Sequence, residues 1–189
     1  WERPSFGGAS AGDEPPLREE RRGGGLALSR WVGPRLRLEA GAGLERWSGL
    51  GTRARVTGEV GARALDDRLA ARLSLGGWAG EGRDFGRAGL DAALRTAPAR
   101  GAGLRAAATL AAADEAGPRT LWPGAGTGHA RRPLLRAHPL LRDGVIRGPA
   151  FGPRLAQASL EARWTLGGGL PVDLAPAAFL DAAAAGGGP

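Results

Sequence analysis

The sequence predicts an all-β chain, an antiparallel transmembrane β-barrel or a partial barrel of about eight strands. Three observations carry this. Apolar and charged residues alternate with a period of two, and the charges keep to one face. The alternating segments run about 10 to 13 residues, where soluble strands average about 5–6 and a tilted membrane strand needs about 9–11. Tryptophans stand at segment ends, where an interfacial girdle would place them.

Eight segments show the alternation. Segment 24–32 is the least regular. Segment 34–46 sets Leu36, Leu38, Ala40, Ala42 and Leu44 against Arg35, Arg37, Glu39, Gly41, Gly43 and Glu45. Segment 52–64 sets Ala54, Val56, Val60 and Ala62 against Arg53, Arg55, Glu59 and Arg63, and segment 67–79 sets Leu69, Ala71, Leu73 and Leu75 against Arg68, Arg72 and Ser74. In 85–96, Ala88, Leu90, Ala92 and Leu94 oppose Arg87, Asp91 and Arg95; in the Ala-rich 101–110, Leu104 and Leu110 oppose Arg105 and Thr109. Segment 155–166 opposes Ala158, Leu160, Ala162, Trp164 and Leu166 to Gln157, Ser159, Glu161 and Arg163. Segment 172–181 opposes Val172, Leu174, Ala178 and Leu180 to Asp173 and Asp181. Helix would require apolar residues to recur at three and four instead.

Composition narrows the function classes. The 189 residues include 34 Gly, 14 Pro and six Trp, and carry a formal charge of +7. All the basic residues are Arg; Lys, Cys, Met, Tyr and Asn are absent, as a very GC-rich bacterial genome would give. Without Cys there is no disulfide framework, thiolate nucleophile or Cys zinc site. His129 and His138 are the only histidines, so a His-based metal centre is not expected, and no cofactor is. There is no 18-residue apolar run for a membrane helix. The arginines are spread over alternate strand positions rather than gathered into a patch, which argues against nucleic acid. Starting at Trp1, without an initiator Met or signal peptide, the chain reads as a fragment of a longer protein.

A soluble Arg-rich β-sandwich also alternates and is the competing fold. Segment length favours lipid on the apolar side, as do Trp31, Trp47, Trp78 and Trp164 at segment ends. So does a charged face mixing Arg, Glu and Asp with Gly, which suits a polar lumen. Spanning in strand form requires closure, because unpaired edges are not tolerated in hydrocarbon. Turn lengths agree with one sidedness. The tight turns 33–34, 65–67, 97–100 and 167–171 fall on one side, taken as periplasmic; 1–23, 47–51, 80–84 and 113–154 fall on the exterior. The expected organisation is an extracellular segment 1–23, a barrel segment 24–183 with the long loop 113–154, and a small-residue tail 184–189.

Loop 113–154 holds both histidines, six prolines and the string from Gly144 to Gly152. With the strands that follow, it resembles the bacterial surface-antigen superfamily of outer-membrane barrels. That superfamily includes BamA-like assembly factors, translocation-module relatives and two-partner-secretion transporters. Ile146-Arg147-Gly148 matches the start of that superfamily's Val-Arg-Gly-aromatic loop tip; Pro149 stands at the aromatic position, with Phe151 two residues on. Glu161, and then Phe179-Leu180-Asp181, match an inward Glu and a Phe-x-Asp pattern in the next two strands, with Ala183 in place of a Gly. The resemblance covers 113–183 by motif and 24–112 by pattern alone. It implies a sixteen-stranded barrel, of which these would be the sixth to thirteenth strands. It also implies outer-membrane localisation, lipid contact, β-barrel or secreted client proteins, periplasmic lipoproteins as partners, and no enzymatic activity. By parity, Glu161 and Asp181 share the charged face of consecutive strands and need a cation. The resemblance assigns that role to Arg147, with Gly148 turning the tip and Phe179 beside the anchor; Arg163 and Arg154 are competitors.

Other motifs are weak. Gly124-Ala125-Gly126-Thr127-Gly128 lacks the Lys-Ser or Lys-Thr of a phosphate loop. Arg131-Arg132 fits lipopolysaccharide phosphates as well as nucleic acid, and Asp66-Asp67 reads as a tight turn. Three functions follow: a barrel that inserts or secretes other proteins, a passive porin-like or structural barrel, and a soluble β-sandwich binding module.

Overall fold

The computed structural model describes residues 17–96, 102–125, 151–164 and 175–186, and the short pairs 5–6, 141–142 and 145–146. The fold is all-β. Eight long strands form one antiparallel sheet: β1 (Arg21–Val32), β2 (Leu36–Trp47), β3 (Gly51–Ala64), β4 (Leu69–Gly80), β5 (Phe85–Arg95), β6 (Ala102–Ala113), β7 (Arg154–Trp164) and β8 (Ala177–Gly186). Each strand pairs with the next in sequence, so the order is a meander with β1 and β8 at its two ends. No ladder joins β1 to β8 among the described residues. A second, small sheet pairs the two-residue strands Leu17–Arg18, Ser5–Phe6, Val145–Ile146 and Leu141–Arg142 in that order. It ties the N-terminal segment to the long loop.

The pleat sorts the side chains as the alternation predicts. Register places Leu38, Val60, Leu73 and Leu90 opposite one another on one face, and Arg72 opposite Asp91 on the other. The apolar face is open: Leu26 is 85% exposed, Leu28 82% and Leu180 70%. The charged face is concave. Its residues in seven strands, from Trp31 on β1 to Ser159 on β7, line a single cavity of about 400 Å³. Outward charges stand near strand ends, at Arg22, Arg30, Arg46 and Arg154.

Turn chemistry matches the connections. Gly33 takes φ +67° between β1 and β2, and Gly49 and Gly51 take +76° and +75° between β2 and β3. Leu65, Asp66 and Asp67 are all left-handed, at φ 53°, 53° and 62°; Asp tolerates this region and Leu does not favour it. On the concave face a Cβ at Gly25 would lie 2.5 Å from the Ala42 carbonyl oxygen and 3.0 Å from Gly43 Cα, so the close backbone of β2 requires glycine there.

Three strands differ from the expected spans by three residues or more; β6 runs on to Ala113 instead of ending at 110, its all-Ala end giving no contrast to read. The first begins three residues earlier, at Arg21, because its leading glycines still pair with Gly43 to Glu45. The last runs from Ala177 to Gly186 instead of 172–181. Its Ala182 to Ala185 stretch carries no polar–apolar contrast, so periodicity is silent there although the backbone pairs throughout with β7. Among the described residues no helix is long and apolar enough to cross a membrane.

Candidate functional site

The concave face and the segments closing one end of it make the candidate site. Along its middle, arginines meet carboxylates. Arg72 reaches Asp91 at 3.1 Å and Glu59 at 3.9 Å, Arg37 bonds Glu39 at 2.7 Å, and Thr109 Oγ1 donates to Asp91 at 2.8 Å. The Arg72 and Thr109 contacts arise because β3 to β6 place polar residues at alternate positions, facing one another across the ladder, and Arg37 and Glu39 meet as same-face neighbours two apart on β2.

One end is closed by an aromatic cluster. Trp47, Trp78, Phe85 and Leu121 are buried together; Phe85 stacks on Trp78 at 5.8 Å and meets Trp47 edge-on at 6.2 Å. Beneath them sits Glu45, only 4% exposed. Its carboxylate accepts from Trp78 Nε1 and from Arg55 Nη1, both at 2.7 Å, with Arg21 at 4.0 Å. Arg53, 2% exposed, donates to the carbonyls of Glu81 at 2.6 Å and Arg83 at 2.9 Å and lies over the Phe85 ring. Glu45 and both terminal nitrogens of Arg53 are thus held by partners, as burial demands, while Arg53 Nε has no hydrogen-bond partner.

The interfacial girdle expected of the tryptophans is corrected for three of them. Trp47 and Trp78 are buried inside the concave end, at 3% and 2% exposure, and cannot meet lipid headgroups. Trp31 lies opposite Arg37 on the charged side, with Arg63 stacked over its ring at 4.9 Å. The reason is parity: Trp47 follows Glu45 by two, and Trp78 is in phase with Arg72 and Ser74, so strand position placed them inward. Trp164 lies on the outward face, partly exposed.

The start of the long loop packs onto the same inner end. Asp114 N–H donates to Gly86 O at 2.9 Å, and a 3₁₀ turn at Arg119–Leu121 buries Leu121 in the aromatic cluster. The carboxylate of Glu19 accepts from Arg119 N–H and Thr120 N–H, both at 2.8 Å, and from Thr120 Oγ1 at 2.6 Å. Glu20 N–H in turn donates to Ser48 Oγ at 2.9 Å. Ala125 and Leu155 form a second buried knot with Phe151, Ala111, Ala183 and Ala185. The N-terminal segment, the 47–51 turn, the 80–84 turn and the long loop therefore meet at one end.

Of the residues assigned by resemblance, Glu161, Asp181 and Phe179 come together on β7 and β8. Glu161 is directly opposite Phe179, and Asp181 is opposite Ser159, diagonal to Glu161 on the same face. Arg163 Nη2 donates to Glu161 Oε1 at 2.9 Å. The competing Arg154 points elsewhere, 3.8 Å from Glu115. Arg147 and Gly148 lie outside the described residues, as do His129 and His138. Among the described residues no cluster of His, Asp or Glu is placed to hold a metal ion.

The Glu45 and Glu19 networks were not anticipated. Glu45 was visible as a charged-face residue, but its partners lie 10 and 33 positions away, and those of Glu19 about 100 away. No family model, curated protein or solved structure matches the chain.

Proposed function

We propose that this chain is part of an outer-membrane β-barrel of the protein assembly and translocation superfamily, and that the whole barrel inserts or secretes other proteins. The observation that carries the membrane reading is the outward face. Leu26, Leu28, Leu44, Val56 and Leu75 are all more than half exposed on the adjoining strands β1 to β4, as is Leu110 on β6, while charges turn inward except near strand ends. Soluble monomers rarely expose a contiguous apolar patch beyond a few hundred Å². Strands of 10 to 14 residues are long enough to span a bilayer when tilted.

The assembly role rests on residue resemblance: Ile146-Arg147-Gly148, then Glu161, then Phe179 and Asp181. The common face of Glu161 and Asp181 on consecutive strands is what that resemblance requires. The packing of 114–121 against inward aromatics also fits a loop that enters the lumen. A passive barrel is the second reading, favoured by the water-accessible cavities lined with both charge signs.

The test reconstitutes the full-length protein in lipid vesicles and adds a urea-unfolded β-barrel client. Faster acquisition of heat-modifiable client than with empty vesicles is expected. Insertion of the protein without any acceleration would leave the passive barrel. Failure of the protein to insert at all would remove the membrane reading.

A further inference from the structure

Among the described residues, arginines outnumber acids at one end of the concave face. At the end opposite the aromatic cluster, a cavity of about 720 Å³ is lined, among the described residues, by five arginines, Arg63, Arg68, Arg95, Arg105 and Arg163, against two carboxylates, Asp67 and Glu161. Arg163 is engaged with Glu161 at 2.9 Å. Arg63 lies over the Trp31 ring, and Arg95 Nε donates to the Asp67 carbonyl at 3.2 Å. Among the described residues, no carboxylate pairs with Arg63, Arg68, Arg95 or Arg105.

The register makes this more pointed. Arg95 and Arg105 are direct cross-strand partners on the inward face, and Arg95 N–H is bonded to Arg68 O at 2.8 Å, which sets a third arginine beside them. Like charges directly opposite destabilise a strand pair. Glu161 stands across from Arg105 on the other side, yet its Oε1 accepts from Arg163. Along the middle of this wall arginine comes with its acid, as at Arg72 with Asp91 or Arg55 with Glu45, and at the aromatic end the buried Arg53 is held by the Glu81 and Arg83 carbonyls. Among the described residues, the arginines without an acid gather at the end that opens beside the 65–67 turn.

We infer that this arginine set is a binding site for a phosphate-class oxyanion. Cross-strand partners sit about 4.5–5.5 Å apart at their Cα atoms, and both arginines line this cavity, so one multidentate anion in it can bond two guanidinium forks. Arginine suits phosphate because its fork bonds two oxygens at once and stays charged. Rings of Arg or Lys are how anion and phosphate pores select their solutes. Nothing in the site depends on which client, if any, the barrel handles.

The probes are inorganic phosphate and pyrophosphate, titrated at constant ionic strength into the purified full-length protein, with chloride as the reference anion. Binding is read by calorimetry and by the thermal midpoint. Saturable binding at millimolar concentration or tighter is expected, with pyrophosphate the stronger. The double change Arg95→Gln and Arg105→Gln should weaken it at least about tenfold, since each charge-assisted bond is strong. It should also raise the midpoint without phosphate, because the like-charge contact is relieved. Arg30→Gln with Arg46→Gln removes the same charge from the outward face and should leave binding unchanged. No saturable binding by the unaltered protein overturns the site, as does equal weakening by the two double variants. Should either double variant fail to fold, Arg105→Lys alone decides: it retains charge but loses the fork, and unaltered phosphate affinity would overturn the inference.

Discussion

Leu73→Arg separates a lipid-facing sheet from a water-facing one. Leu73 is the fifth of twelve residues in β4, and its cross-strand neighbours are Val60 and Leu90, both apolar and partly exposed like itself. An arginine there in a bilayer costs about 2–4 kcal/mol near the midplane, roughly thirtyfold or more in the folding equilibrium. On a wet surface the same change stays within about 0.5 kcal/mol. Arg72→Leu, one residue away on the concave side, gives up the contacts to Asp91 and Glu59. Arg72 is half exposed, so that loss is about 1 kcal/mol at most. Urea unfolding of the full-length protein in lipid vesicles, followed by heat-modifiable migration, measures both. The lipid assignment requires Leu73→Arg to be the costlier by about 1–3 kcal/mol, roughly fivefold or more. Equal tolerance of the two changes, or the reverse order, would refute the reasoning.

Three further outcomes test the closed end. Glu45→Ala strands a buried indole N–H and the Arg55 guanidinium, and should destabilise by about 3–5 kcal/mol, whereas Glu45→Gln keeps an acceptor for Trp78 and should cost clearly less; equal losses in urea melts would dismiss the buried network. Phe85→Ala opens a cavity between Trp47, Trp78 and Arg53, for about 3–5 kcal/mol, and should red-shift tryptophan emission as water enters; an unshifted spectrum would count against the packing. Glu19→Ala removes three hydrogen bonds from the 3₁₀ turn, and hydrogen exchange at the Arg119 and Thr120 amides should accelerate while β3 to β5 stay protected; unchanged exchange at those two amides would mean the clasp holds nothing.

The sheet was legible because alternation is a local consequence of the pleat. Leu36 to Leu44 and Leu69 to Leu75 announce their face one residue at a time, without any knowledge of partners. The same parity contained the placement of Trp47 and Trp78. Reading them by their position at strand ends, rather than by phase with Glu45 and Arg72, put them on the wrong side. Where contrast vanishes, as in Ala182 to Ala185, the signal vanishes too, and only pairing with β7 extends the strand to Gly186. The common face of Glu161 and Asp181 followed from the phase of two consecutive strands, and their diagonal adjacency from the register. What the sequence could not contain is contact across large separations. The hold of Glu19 on Arg119 and Thr120, the cover that Leu121 lays over Trp47 and Trp78, and the unmatched pairing of Arg95 with Arg105 depend on register, curl and loop path. Those are set by the packing of many strands at once, because a period of two says which face a residue takes and nothing about which residue it meets there.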